Sequence, residues 1–163
     1  MRSRWLMCGL LALALFAGSA RGASAAVIFS DNFNSENGGT GALNFFGFTN
    51  WTVSAGTVDL IGNGFFDFLP GNGLYVDLDG SHKDAGVMTK SPSIALGAGN
   101  YVLSFSLAGS QRGSAEDVVA KVFGNNSSNY GTLSVVALPS STPFQTQTIN
   151  FTLAAPDPAV RFS

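Results

Sequence analysis

The chain has 163 residues; Met1 to Ala25 read as a cleavable secretory signal, which leaves residues 26–163 to fold as a single domain. Those residues carry five basic side chains, Lys83, Lys90, Arg112, Lys121 and Arg161, against all ten acidic ones, a formal charge of −5 that argues against nucleic acid as a partner. The only cysteine, Cys8, lies in the signal, so a disulfide framework, a thiolate metal site and a cysteine nucleophile are excluded from the mature chain.

Arg2 and Arg4 precede an apolar run from Trp5 to Ala17, and Ala23-Ser24-Ala25 fits the small-x-small rule for signal cleavage. The pattern predicts a signal-peptide helix removed at Ala25. Gly18, Ser19 and Arg21 end the run before the roughly 18 apolar residues that a membrane anchor needs. Downstream there is no second run of that length, so the mature chain is expected to have no membrane span and to be secreted, periplasmic or held at the cell surface.

Short alternating segments separated by turn residues predict an all-β chain. In order they are Val27 to Phe33, Trp51 to Ser54, Thr57 to Ile61, Leu74 to Leu78, Gly86 to Lys90, Tyr101 to Leu107, Asp117 to Phe123, Leu133 to Leu138, Ile149 to Leu153 and Ala159 to Phe162. This number of strands suits an antiparallel two-sheet β-sandwich. Tyr101, Leu103, Phe105 and Leu107 alternate with Val102, Ser104 and Ser106, which predicts a central strand with one face in the core. Phe144 and Ile149 have opposite parity, so a bulge between Gln145 and Thr148 is expected if both point inward. The Gly-rich stretches Asn37 to Gly41, Gly62 to Gly73 and Gly97 to Asn100 read as loops at the sandwich ends. Ala159 to Ser163 begins a β alternation with no turn or polar tail after it, and so reads as the edge of a fragment that lacks its last strand.

From Asn50 to Arg112, Trp51, the run Phe65-Phe66-Asp67-Phe68-Leu69-Pro70-Gly71, Asp77-Leu78-Asp79-Gly80 and Gln111-Arg112 occur in order. In this the chain resembles secreted Gram-negative β-sandwich proteins that end in a PEP-CTERM sorting signal. The resemblance implies a galactose-binding-like jelly roll linked with exopolysaccharide, followed by a further strand and a C-terminal sorting anchor that this sequence does not contain. It also implies a structural calcium ion near the mature N-terminus, where Asp31, Asn32, Asn34 and Glu36 cluster.

Asp77 and Asp79, two apart on a strand, share a face, and Asp84 follows within reach; together they form a second candidate for Ca2+. The competing reading of these aspartates is as caps of turn amides. Phe66 and Phe68, beside Asn63, Asp67 and Asn72, combine ring planes with amide and carboxylate groups, the mixture that stacks and hydrogen-bonds a sugar; packing at a sandwich end is the alternative. Tyr75 and Tyr130 are expected at the surface, Tyr75 as a further ligand-binding side chain of the same site. Arg112 is expected to fork onto a carboxylate, either of a sugar acid or, more simply, of Asp117 or Glu116 nearby. His82, the single histidine, reads as a surface residue of a polar loop. The G-x-S-x-G, H-E-x-x-H and G-x-x-x-x-G-K patterns are all missing, so catalysis is not expected. The reading favoured is a non-catalytic sandwich that binds carbohydrate or an exopolysaccharide matrix. Its rivals are a structural cell-surface or biofilm matrix protein with no small-ligand site and, third, a glycan-cleaving enzyme.

Overall fold

The computed structural model describes residues 26–82 and 84–163. The chain divides into Met1–Ser30 and a larger compact unit, Asp31–Ser163. Of the first unit only residues 26–30 are described, without regular structure, and the signal expected over residues 1–25 lies outside the described residues.

Asp31–Ser163 is mostly β. Its described residues form ten strands: β1 (Trp51–Ala55), β2 (Asp59–Gly62), β3 (Leu74–Asp77), β4 (Val87–Lys90), β5 (Ile94–Leu96), β6 (Gly99–Leu107), β7 (Glu116–Phe123), β8 (Asn129–Leu138), β9 (Gln145–Leu153) and β10 (Asp157–Phe162). Two one-turn 3-10 segments, Glu36–Gly39 and Asn125–Ser127, accompany them. Every strand pairing is antiparallel, in three two-stranded sheets, β1-β4, β2-β3 and β6-β9, and one four-stranded sheet in the order β5-β10-β7-β8.

Strand β2 is buried at all four positions, although Asp59 is charged. One edge pairs with β3, and on the other Leu60 exchanges both backbone hydrogen bonds with Ala42, at 2.8 and 2.9 Å. Both edges of β2 are thus occupied, and Leu60 packs with Phe48, Val58, Leu74 and Met88 in an apolar cluster flanked by Phe33, Phe45, Trp51, Val53 and Val76. Asp59 is tolerated there because it accepts from the Asn44 N–H at 2.6 Å and from the Ser81 N–H and hydroxyl at 3.2 and 2.8 Å. A second set of buried apolar residues comes from β5, β7, β9 and β10: Leu96, Val122, Ile149, Phe151, Leu153, Val160 and Phe162. Here β8 lies close over β9, and a Cβ on Gly131 would stand 2.5 Å from Ile149 Cγ2.

Three expectations are corrected. Residues 27–33 are not a strand: the Asp31 carboxylate accepts the Phe33 N–H at 2.9 Å and Asn32 Oδ1 accepts the Asn34 N–H at 3.1 Å, turns that bend the chain and leave Phe33 at φ +60°. Among the described residues strand β6 is paired on one side only, with β9, so it is not central there; Tyr101, Leu103, Phe105 and Leu107 share a face as expected but are half-buried. No bulge interrupts β9, whose nine pairs with β6 run unbroken from Leu107↔Gln145 to Gly99↔Leu153. Phe144 precedes the strand, so its ring is not bound by strand parity and packs edge-on against Tyr75, with centroids 5.5 Å apart. The three-residue β5 was too short to stand out in the sequence.

Candidate functional site

The eleven residues between β2 and β3 close on the Gly62↔Leu74 pair. Positive φ at Asn63 (51°) and Gly64 (85°) turns the chain sharply, and Gly62 and Phe65 exchange backbone hydrogen bonds at 2.9 Å. Asp67 then ties the loop together, accepting from the Gly64 N–H at 3.2 Å and from the Tyr75 hydroxyl at 3.1 Å. That hydroxyl in turn accepts the Leu69 N–H at 2.9 Å, and Asn72 Nδ2 donates to the Leu69 carbonyl at 2.7 Å. The loop is held by its own polar groups, so its apolar side chains are not all needed for packing. Phe65 is half-buried against Gly41, whereas Phe66 is 55% and Phe68 40% exposed. Phe66 has φ +44°, a left-handed conformation uncommon for a bulky residue, and its ring meets Phe65 edge-on.

Arg112 completes the cluster. Its Nη2 donates to Asp77 Oδ2 at 2.6 Å and to the Asp79 carbonyl at 3.3 Å, and its guanidinium carbon lies 6.0 Å from the centre of the Phe68 ring. The partner is therefore Asp77 at the end of β3 and not Asp117 or Glu116. Asp117 accepts the Ala137 N–H at 2.7 Å and Glu116 the Ser114 hydroxyl at 2.7 Å. Burial, the largest influence, pushes the Asp77 carboxyl above its usual value, against the Asp79 N–H and the Arg112 charge, which pull it down.

Gln111 gives this arrangement its frame, though no chemistry was assigned to it from the sequence. At φ +57° its amide nitrogen donates to the carbonyls of Gly109, Ser140 and Thr142 at 3.0, 2.8 and 3.0 Å, pinning the Arg112 loop to the segment before β9. A cleft of about 540 Å³ flanks that loop, lined by Gln111, Gly113, Ala115, Pro139, Ser140 and Ser141. A glutamine between Gly109 and Gly113 was the only signal, and it is a weak one.

Phe66, Asp67, Phe68, Asn72, Tyr75, Arg112 and Asn63 thus come from one loop, the strand after it and one neighbouring loop. Arg112 is paired with Asp77 and its guanidinium lies over the Phe68 ring; Asn63 and Asn72 are exposed, and Asn72 is committed to its own loop. Tyr75 and Tyr130 are half-buried rather than at the surface, because each hydroxyl is bonded to a carboxylate, Asp67 and Asp157 respectively. Burial first, opposed by the Leu69 N–H, raises the Tyr75 pKa. His82 is exposed.

The two calcium candidates are built differently from an ion cage. Asp31 accepts from the Phe33 N–H, from Asn50 Nδ2 at 3.1 Å and from the Trp51 indole at 3.0 Å; Glu36, buried, takes the Thr49 N–H on both oxygens and the Thr49 hydroxyl. The oxygens that a calcium ion would use are already accepting donors of the protein. Asp77 holds Arg112 and caps the Asp79 N–H at 3.1 Å, while Asp79 and Asp84 are exposed. Among the described residues no group of three or more His, Cys, Asp and Glu side chains converges. The calcium expectation therefore rests on the sequence and gains no support from the geometry.

Lys90 also escaped the sequence reading. It is buried across from Trp51, donates to the Pro92 carbonyl at 2.9 Å and has its pKa lowered by burial, against the pull of Asp31. Comparison with known protein families, with characterised proteins and with solved structures finds no match to this chain.

Proposed function

We propose that this is an exported, non-catalytic β-sandwich protein of jelly-roll type that binds carbohydrate or an exopolysaccharide matrix through the loop between β2 and β3. The observation that carries the reading is the exposed Phe68 ring beside the Arg112–Asp77 pair. A sugar offers an apolar C–H face and a rim of hydroxyls, and an exposed ring next to fixed donors and acceptors complements both. The sandwich part of the proposal draws on the close approach of β8 to β9 at Gly131. Export draws on Arg2, Arg4 and the apolar run after them.

Phe68→Ala is expected to weaken binding to a polysaccharide panel by about tenfold, in the range of one stacked ring. Because the ring is 40% exposed, the loss in urea denaturation should stay near about 1 kcal/mol, below the roughly 3–5 kcal/mol of a core ring. Isothermal titration beside urea denaturation decides the matter: a large loss of stability with unchanged affinity would assign Phe68 to packing and remove the argument. The second reading, a structural matrix protein, draws on Val102, Val119 and Val136, which stand 62%, 52% and 73% exposed on β6, β7 and β8.

A further inference from the structure

The Arg112–Asp77 pair contains more than a charge contact. Only Nη2 of the guanidinium is engaged, on Asp77 Oδ2 and the Asp79 carbonyl; Nε and Nη1 donate to none of the described residues. The Arg112 side chain is 39% exposed and that of Asp77 16%. The pair therefore presents unused N–H donors next to a carboxylate whose two oxygens each accept one donor, the Asp79 N–H and Arg112 Nη2, and each keep a further lone pair, with the guanidinium carbon over the Phe68 ring, 6.0 Å from its centre. Adjacent hydroxyls of a sugar ring each donate and accept, so a neighbouring donor and acceptor suit a diol, whereas a carboxylate ligand only accepts.

Charge points the same way. Among the described residues Arg112 is matched by Asp77, and the nearby carboxylates with no cation partner are Asp79, exposed two residues on, and Asp67, next to Phe68. An incoming carboxylate would meet like charge here, and like-charge juxtaposition suppresses a wrong partner.

We infer that the Phe68–Arg112–Asp77 cluster is a neutral-sugar site: it grips an adjacent pair of hydroxyls between guanidinium and carboxylate, stacks the sugar's C–H face on Phe68, and discriminates against uronic acids. This rests on the carbohydrate reading above and names the ligand class of the same site.

The test titrates the exported protein with oligogalacturonate and oligomannuronate, each beside its carboxyl-reduced form, which keeps the ring stereochemistry and loses the charge. At least one neutral form should bind about tenfold or more tightly than its acidic partner. The preference should narrow at high salt, where the Debye length drops from about 10 Å at 0.1 M to about 3 Å at 1 M. Asp77→Asn and Asp79→Asn remove charge while keeping an acceptor, and each should shrink the preference by about threefold or more through improved uronate binding. Arg112→Gln should weaken the neutral form by about tenfold or more, the scale of a lost charge-assisted hydrogen bond. Should that variant fail to fold, Phe68→Ala carries the same expectation from an exposed position. Uronates binding as tightly as the neutral forms, or a preference unmoved by either aspartate substitution, overturns the inference and leaves carbohydrate binding standing. Failure of all four oligosaccharides to bind overturns both.

Discussion

Asp157 shows how one residue can brace three segments. Although it lies in the chain's last strand, β10, it accepts the Tyr130 hydroxyl at 2.6 Å, the Asn125 N–H at 3.0 Å and the Ala159 N–H at 2.8 Å. Gly124 makes room for this, because a Cβ there would collide with the Asp157 carboxylate and the Tyr130 ring. The Tyr130 hydroxyl, and after it the backbone N–H groups, hold the Asp157 carboxyl below its ordinary value of 3.8. A depressed carboxylate contributes stability that is present above the unfolded pKa and is lost as pH falls through the folded one. Asp77, pushed above 3.8 by burial, works in the opposite sense: its contribution is present in acid and is lost as pH rises through its folded pKa. Urea midpoints followed from neutral pH into acid should therefore fall less steeply for Asp157→Asn than for the parent and more steeply for Asp77→Asn. Parallel acid limbs in all three proteins would show that neither carboxylate titrates differently on folding.

At the scale of elements, Gly131 sets the approach of β8 to β9. No positive φ requires glycine there; space does, since a side chain would enter the volume of Ile149 Cγ2. Gly131→Val also raises strand propensity, so local preference and packing pull in opposite directions. Packing should win: the expected outcome is a loss of about 1–3 kcal/mol in urea denaturation, the usual cost of overpacking. A neutral or stabilising result would mean that β8 and β9 are free to separate. The same contact accounts for the asymmetry of β9, whose Ile149, Phe151 and Leu153 are buried while Thr146, Thr148, Asn150 and Thr152 face water. Strand β6 carries the matching half-buried face, with the Tyr101 and Phe151 rings stacked at 5.4 Å.

For the whole unit Asp31–Ser163, the question is whether its two sets of buried apolar residues fold together. Leu60 is fully buried in one and Ile149 is 6% exposed in the other. Strand β10 packs against β4 as well as pairing with β5 and β7, so residues of both sets are linked by one strand. The expected behaviour is a single cooperative transition. Trp51, the one tryptophan after residue 25, packs on the Leu60 cluster and reports on it by fluorescence, while circular dichroism reports on all the strands. The two urea curves should coincide, and Leu60→Ala and Ile149→Ala should each shift both by about 2–5 kcal/mol. Separated curves, or a substitution that moves only one of them, would divide the unit into two.

Taken alone, the sequence determined the all-β character, nine of the ten strands within a few residues, and the loop that carries Phe66, Asp67 and Phe68. These depend on period-two alternation and on glycine, which act over a few neighbours. The Asp67–Tyr75 hydrogen bond is likewise local, spanning eight positions of one loop and the strand after it. What only tertiary structure decided was partnership. Parity put Phe105 on an apolar face but could not say that β6 has one neighbour rather than two. Arg112 pairs with Asp77, 35 residues away, while the two carboxylates within five, Glu116 and Asp117, accept from Ser114 and Ala137. Proximity in sequence lowers the entropy of forming a contact, but once the chain is folded that entropy has already been lost, and the pairing follows from where the strands bring the groups.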